Sequence, residues 1–331
     1  MPEVMELIGV VPAPDWGAWE PAALCLLTAG AAALILACLA FLGGGREARL
    51  ARPFSLAALA AGLTGQAALF VSLEQPFRAY EFFLHPAFSS WTAVGAYVVP
   101  LFLLTALLLA LGTRNARPIG RLAAALALLP GIAVFVYATN EIMACVGRAL
   151  WTNPALPLLF VIAGLAGGIG LAACLSGESR PAASEQADSP ARLLAGLATL
   201  AVAACTVMAA LLPAPAGFGR AVSLWWHAPD VLCLLATFVA VADWRRARRS
   251  VLAAGLAGLA GGFLLFWKLI QMGQAFPRNA ATVADKAAFL DLLSGPSLLA
   301  LAGSAGLLLG LSLLLPMLLP AKPLSAPQGV R

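Results

Sequence analysis

Long apolar runs alternate with short polar segments along almost the whole chain. About nine of these runs reach roughly 20 residues, the length that an α-helix needs to cross the hydrocarbon core of a bilayer. The pattern therefore predicts an all-α, polytopic transmembrane protein. The predicted spans cover residues 21–43, 54–73, 92–112, 122–144, 155–175, 193–213, 222–242, 251–272 and 296–319.

The polar segment at 176–192, SGESRPAASEQADSPAR, divides the chain into two parts. Its Ser, Ala and Glu content is typical of a flexible linker. The sequence predicts an N-terminal helical bundle at 21–175 and a C-terminal bundle at 193–319. Spans two to five and six to nine can each form a four-helix bundle, with the first span as an extra one. Residues 1–20 precede the spans and residues 320–331 form a tail.

Basic residues lie mostly on one set of connections. That set and the tail hold 14 of the 20 Lys and Arg residues, whereas the other set holds five. Because Lys and Arg concentrate in cytoplasmic loops, we expect a bacterial inner (cytoplasmic) membrane protein with a periplasmic N-terminus and a cytoplasmic C-terminus. The inner loops also account for the net charge of +5, so the charge does not indicate nucleic-acid binding.

Composition excludes a soluble protein and offers little for a bound metal. Hydrophobic residues make up 62% of the chain and charged residues 11%, against about half and about a quarter in soluble domains. The six cysteines form no C-x-x-C pair and are typical of small packing residues. There are two histidines, and one of them, His85, precedes a proline. We therefore expect no iron–sulfur cluster or haem in this chain.

Ionisable residues gather at the predicted outer ends of the spans, in three places. The first is the outer end of the fourth span. There, Tyr137, Asn140 and Glu141 share one helix face, and Arg148 lies seven residues beyond Glu141. The second is the loop LEQPFRAYEFFLHPAFSSW. The third is WWHAPD. Each can be an ordinary helix end or solvated turn, and each can also line a site for proton-coupled chemistry. The candidates in the second and third places are Glu74, Glu81, His85, His227 and Asp230.

The order of these motifs resembles the NrfD/PsrC family, which includes the membrane subunit of polysulfide reductase. The resemblance rests on LEQPFRAYEFFLHPAFSSW and on VYATNEIMACVGRALWTNPALPLLFVIAGLAGG, and the segment 66–170 carries nearly all of it. It implies a quinone-reactive membrane subunit that uses menaquinone or ubiquinone as an exchangeable substrate in anaerobic respiration. It also implies a four-cluster ferredoxin-like iron–sulfur partner on the outer face and a molybdopterin or multihaem cytochrome catalytic subunit.

The resemblance assigns roles to several of the candidates. Tyr137 corresponds to the tyrosine that hydrogen-bonds the quinone, and Glu74 to the carboxylate beside it that moves protons. Arg148 and Trp151 fall on the family's R-x-L-W pattern and are expected to contact the quinone. Independently of the resemblance, Glu141, on the face of Tyr137, is expected to share the proton transfer, and His85 is a candidate quinone contact.

The first span departs from the family pattern. Polysulfide-reductase subunits place Asn and His there, whereas this chain has Glu20, Cys25 and Thr28. His227 and Asp230 are the expected substitutes, because they lie on the same predicted side of the membrane.

Two other functions remain open from the sequence. A secondary transporter would use inverted repeats and polar, broken helices at the midplane, whereas these midplanes are mostly Leu, Ala, Val and Gly. A purely structural membrane anchor would keep the fold without a working quinone site.

Overall fold

Helices account for every regular element in the residues that the computed structural model describes: 16–43, 50–114, 121–148, 151–154, 156–175, 248–275 and 290–320. The α-helices are α1 (Trp19–Gly43), α2 (Ala51–Ser72), α3 (Glu81–Leu84), α4 (Trp91–Arg114), α5 (Arg121–Leu126), α6 (Leu128–Met143), α7 (Leu156–Leu175), α8 (Arg248–Ala275) and α9 (Gly295–Leu318). Short 3-10 turns lie at Pro76–Arg78 and Leu290–Leu293.

The predicted all-α membrane architecture is confirmed. Six helical stretches in the described residues are long and apolar enough to cross a membrane, and α8 contains a shorter apolar stretch, Leu256–Gln271. The helix ends lie within a few residues of the predicted spans. The total of nine stays a prediction, because the sixth and seventh predicted spans lie outside the described residues.

The fourth predicted span consists of two helical pieces. A turn at Ala127 separates α5 from α6, and Pro130 follows in the first turn of α6. Because proline has no backbone N–H, it cannot donate to the carbonyl four residues earlier. The hydrogen-bond ladder is therefore interrupted where the two pieces meet.

Helix α1 is the most buried of the candidate spans and α9 the least. Helix α1 packs against α2, α6 and α7, and also against α8 and α9 from the C-terminal part of the chain. Helix α1 lies at the centre of the described helices, and the predicted arrangement of an extra first span beside two bundles stays a prediction. The proposed division into two bundles stays a prediction, since the linker and two of the four predicted C-terminal spans lie outside the described residues.

Small residues let α1 and α7 approach each other closely. A Cβ atom at Gly164 would lie 2.7 Å from the Thr28 carbonyl oxygen, nearer than a side chain can sit. Buried side chains around this contact are mainly Ala, Leu and Gly. Close backbone approach through small residues is the usual way in which membrane helices gain packing energy.

The helices run up and down, so their ends form two groups. At one end, Trp16 before α1 meets Trp151 after α6 and Gln274 near the end of α8; we call this the Trp16 end. At the opposite end, the Arg52 guanidinium at the start of α2 donates to the Leu319 carbonyl just after α9. The grouping agrees with the alternation of loops that the sequence predicts, and the side that faces the periplasm stays a prediction.

Candidate functional site

Among the candidate quinone-site residues in the described part of the chain, Tyr137 is the most buried. It lies on α6 and is 1% exposed. Its ring packs directly over Gly95 of α4, where any Cβ atom would overlap the ring carbons. The Tyr137 hydroxyl is buried and makes no hydrogen bond of good geometry to a described residue, and the Glu141 carboxylate lies within reach of it. A buried polar group without a well-formed hydrogen bond costs about 1–3 kcal/mol, so this hydroxyl can take a ligand as its partner.

Glu141 lies one helical turn beyond Tyr137, as the sequence predicts. One carboxylate oxygen accepts a hydrogen bond of 3.2 Å from the Thr92 hydroxyl of α4. Its other oxygen, Oε2, is buried and has no partner among the described residues. Asn140 differs, because its amide turns back to donate to the Val136 carbonyl at 2.7 Å. The Tyr137 hydroxyl and Glu141 Oε2 are therefore available to hydrogen-bond a ligand, whereas the Asn140 amide already bonds to its own helix.

A second carboxylate, Glu20, joins this group from the first turn of α1. Glu20 is 7% exposed and close enough to interact electrostatically with both Tyr137 and Glu141. The Ser72 hydroxyl at the end of α2 donates to the Leu69 carbonyl at 2.7 Å and lies within hydrogen-bonding reach of Glu20. In the sequence, Glu20 departs from the family pattern, and neither the resemblance nor the residue spacing assigns it a role.

We call Glu20, Ser72, Thr92, Tyr137 and Glu141 the acid–tyrosine cluster. Four helices, α1, α2, α4 and α6, contribute to it at the Trp16 end. Carboxylates buried near apolar helices are expensive and usually mark functional positions. The cluster combines two groups that can take up and release protons with a phenol that can donate a hydrogen bond. It could therefore bind an uncharged ligand with polar oxygens and exchange protons with it.

Glu74 and His85 lie in the exposed loop beyond the cluster. Glu74 sits in the turn two residues after Ser72, and His85 follows α3; both are exposed. In the same loop, Arg78 donates two hydrogen bonds to Glu81, at 2.8 and 3.0 Å. The Arg78 guanidinium lowers the pKa of Glu81, and the carboxylate in turn raises the pKa of Arg78.

Arg148 and Trp151 belong to a second group of contacts. Helix α6 ends at Met143, so Arg148 lies in the following turns and not on the helical stripe of Glu141. Its guanidinium donates to the Gly273 carbonyl of α8 and lies 4.9 Å from the centre of the Trp151 ring. Cations at the C-terminal end of a helix are favourably placed against its dipole.

Trp151 connects three parts of the chain at the Trp16 end. It is 2% exposed, stacks on Trp16 with ring centres 5.1 Å apart, and donates from Nε1 to the Leu269 carbonyl at 2.9 Å. We call Trp16, Arg148, Trp151 and Gly273 the tryptophan clamp. Its contacts hold the segment after α6 against the end of α8, so both predicted quinone contacts also have a structural role.

Two of the predicted site residues and the question of a metal site remain. His227 and Asp230 lie outside the described residues. Among the residues that are described, no group of three or more His, Cys, Asp or Glu side chains could hold a metal ion.

The sequence model of the polysulphide reductase NrfD family matches residues 15–278. The match covers the acid–tyrosine cluster, the exposed loop and the tryptophan clamp, and it extends beyond the segment on which the resemblance rested. A search of curated proteins finds no significant match.

Proposed function

Because the chain belongs to the NrfD family of membrane subunits of respiratory oxidoreductases, we propose that it exchanges electrons between the membrane quinone pool and an iron–sulfur partner subunit. The partner docks at the Trp16 end, which the loop charges predict to be periplasmic. A molybdopterin or multihaem cytochrome subunit then carries out the terminal reaction, whose substrate this chain does not determine.

The observation that carries the proposal is the buried Tyr137 hydroxyl, which lies beside Glu141 and makes no hydrogen bond of good geometry to a described residue. A quinone ring offers two carbonyl oxygens that accept hydrogen bonds, and a phenol is a suitable donor to one of them. Glu141, with its own buried oxygen unpaired, lies one turn away on the same face. The donor set of the acid–tyrosine cluster therefore fits a quinone head group, and menaquinone and ubiquinone are both acceptable substrates.

Proton transfer is assigned to the carboxylates. Oxidation of one quinol releases two electrons and two protons, and the protons need acceptors near the ring oxygens. Glu141 is placed to accept the first of them, with Thr92 fixing its orientation. Glu20 and Ser72 extend the polar groups toward the end of α2, where Glu74 is exposed. This order leads from a buried site to water without crossing the apolar centre of the bundle.

The site is tested with Tyr137→Phe in the full chain, and Tyr97→Phe is the matched control. Binding of a quinone analogue is followed by quenching of tryptophan fluorescence. Loss of one hydrogen bond, worth about 0.5–1.5 kcal/mol, should weaken binding by about 2- to 13-fold. Tyr97, which is partly exposed and donates to the Phe83 carbonyl, should tolerate the same change without loss of affinity.

Tyr137→Phe should weaken quinone binding but should not lower the thermal stability of the ligand-free protein. The hydroxyl makes no hydrogen bond of good geometry to a described residue, so its removal relieves a desolvation cost, and Tyr137→Phe should unfold at the same temperature as wild type or higher. A variant that loses stability but keeps its quinone affinity would show that the hydroxyl serves the fold and would refute the proposed site. Glu74→Gln, tested beside it, shows whether the exposed carboxylate affects proton release.

A further inference from the structure

The segment between α2 and α4 exposes several large apolar side chains. We call residues 76–88 the aromatic loop. Phe77 is 88% exposed, Leu84 65% and Phe88 68%, and Tyr80 and Phe83 are about half exposed. Contiguous exposed apolar surface of this kind marks a contact with a membrane or another molecule.

The aromatic loop continues an exposed apolar surface of α4. The exposed residues of α4 recur every three or four positions, at Tyr97, Leu101, Leu104 and Leu108, a spacing typical of the lipid-facing side of a spanning helix. The Tyr97 ring contacts Phe83 and Phe88, with ring centres 5.4 and 5.8 Å apart. Its hydroxyl donates to the Phe83 carbonyl at 3.3 Å. One apolar surface therefore runs from the middle of α4 into the loop.

Polar side chains follow a separate stripe of the loop. Arg78, Glu81 and His85 recur at three- and four-residue spacing, as Phe77, Tyr80 and Leu84 do. Arg78 and Glu81 neutralise each other through a paired hydrogen bond, which lowers the cost of holding both near an apolar boundary. The loop thus has the two-sided character of segments that lie in a membrane interface.

We propose that the aromatic loop lies flat in the lipid interface at the Trp16 end, with Phe77, Tyr80 and Leu84 in the acyl boundary and Arg78 and Glu81 toward water. The occupant of its apolar face is lipid, because that face is continuous with the lipid-facing stripe of α4. Trp91, which begins α4 directly after the loop, is of a residue type enriched at this depth. The proposal does not depend on the quinone reaction.

Interfacial anchoring also bears on the acid–tyrosine cluster. Tyr97, in the second turn of α4, contacts the loop. The first two turns of α4 also carry Thr92 and Gly95. A loop held in the interface is therefore joined, through Tyr97, to the turns of α4 that contact Glu141 and the ring of Tyr137.

The test is a nitroxide scan of the full-length chain in vesicles of phosphatidylethanolamine and phosphatidylglycerol. Single labels are attached at Phe77→Cys, Leu84→Cys and His85→Cys, and the labelled wild-type chain gives the background from native cysteines. Leu84 and His85 are adjacent and both exposed, so they form a matched pair at neighbouring positions of the loop. Collisions are measured with oxygen, which concentrates in lipid, and with a water-soluble nickel chelate.

The labels at 77 and 84 should collide more with oxygen than with the nickel chelate, and the label at 85 should show the reverse preference. If the nickel chelate reached the label at 84 as readily as a fully water-exposed site, and as readily as the label at 85, the loop would lie in water and the proposal would be overturned. Protection of 77 and 84 from both reagents would show that protein covers the loop, which also overturns it. Because Phe77 is almost fully exposed, its substitution removes little packing, and the scan remains interpretable if one variant folds poorly.

Discussion

The contact between Gly95 and Tyr137 allows a sharp test of how the site is built. In Gly95→Ala the new methyl group would overlap the Tyr137 ring and would lie 2.9 Å from its hydroxyl oxygen. Overpacking a well-fitted contact costs about 1–3 kcal/mol. If the ring shifts to relieve this strain, its hydroxyl leaves the position that would meet the quinone. The loss in quinone-analogue affinity should then match that of removing the hydroxyl, about 2- to 13-fold.

The control is Gly306→Ala in α9, another glycine in a spanning helix. A Cβ atom at Gly306 would meet nothing within 4 Å. Both substitutions change helix propensity in the same direction, by at most about 1 kcal/mol in water. The control therefore isolates the steric effect, and Gly306→Ala should bind the quinone analogue as wild type does.

A double-mutant cycle identifies the route of the effect. If Gly95→Ala acts by displacing the Tyr137 hydroxyl, it should cost less affinity in a Tyr137→Phe background than in wild type. Equal losses in the two backgrounds would mean that the methyl group disturbs another contact. Unchanged affinity in the single variant Gly95→Ala would refute the argument that the ring position controls binding.

Three further predictions concern neighbouring groups. Trp151→Phe should lower stability by about 0.5–1.5 kcal/mol, because it removes the indole hydrogen bond to the Leu269 carbonyl, and unchanged quinone affinity alongside a lower melting temperature would assign the clamp a structural role. Glu20→Gln and Glu141→Gln should each slow quinol oxidation by about 10²-fold or more and alter its pH–rate profile, and a variant with wild-type rates at every pH would exclude that carboxylate from proton transfer. Arg78→Gln should raise the pKa of Glu81 toward its ordinary value of 4.5, as followed by carboxyl NMR. The ion pair stabilises the loop above the unfolded-state pKa of Glu81, and its contribution is lost as pH falls through the lower folded value.

Helix spacing in the sequence identified the main pair of the site. Tyr137 and Glu141 are four residues apart in a long apolar run, so they had to share a face if the run was helical, and the structure places them together. Glu20 was not assigned a role, because an acid in the first turn of a helix is common for dipole reasons alone. Its meeting with Glu141 depends on how α1 packs against α6, which periodicity does not determine.

The placement of Arg148 and Trp151 shows a second limit. Both follow the end of α6, and their partners Gly273 and Leu269 are more than one hundred residues away in the chain. A motif such as R-x-L-W gives residue types and spacing, but the carbonyls that complete its contacts come from tertiary packing. The motif alone could not separate ligand contact from helix clamping.

The middle of the bundle favours a reaction at one end over passage of a solute through it. In the described part of α1 and α2, the polar side chains near mid-helix are satisfied locally: Thr28 donates to the Leu24 carbonyl at 2.7 Å, and Thr64 to the Ala60 carbonyl at 2.8 Å. Small residues bring the backbones of these helices together, so a solute would have to separate pairs such as Gly30 and Ala58. A transporter needs polar, interrupted helices at this depth. A quinone needs an apolar route along the lipid side and hydrogen-bonding groups at one end, which is where Tyr137, Glu141 and Glu20 lie.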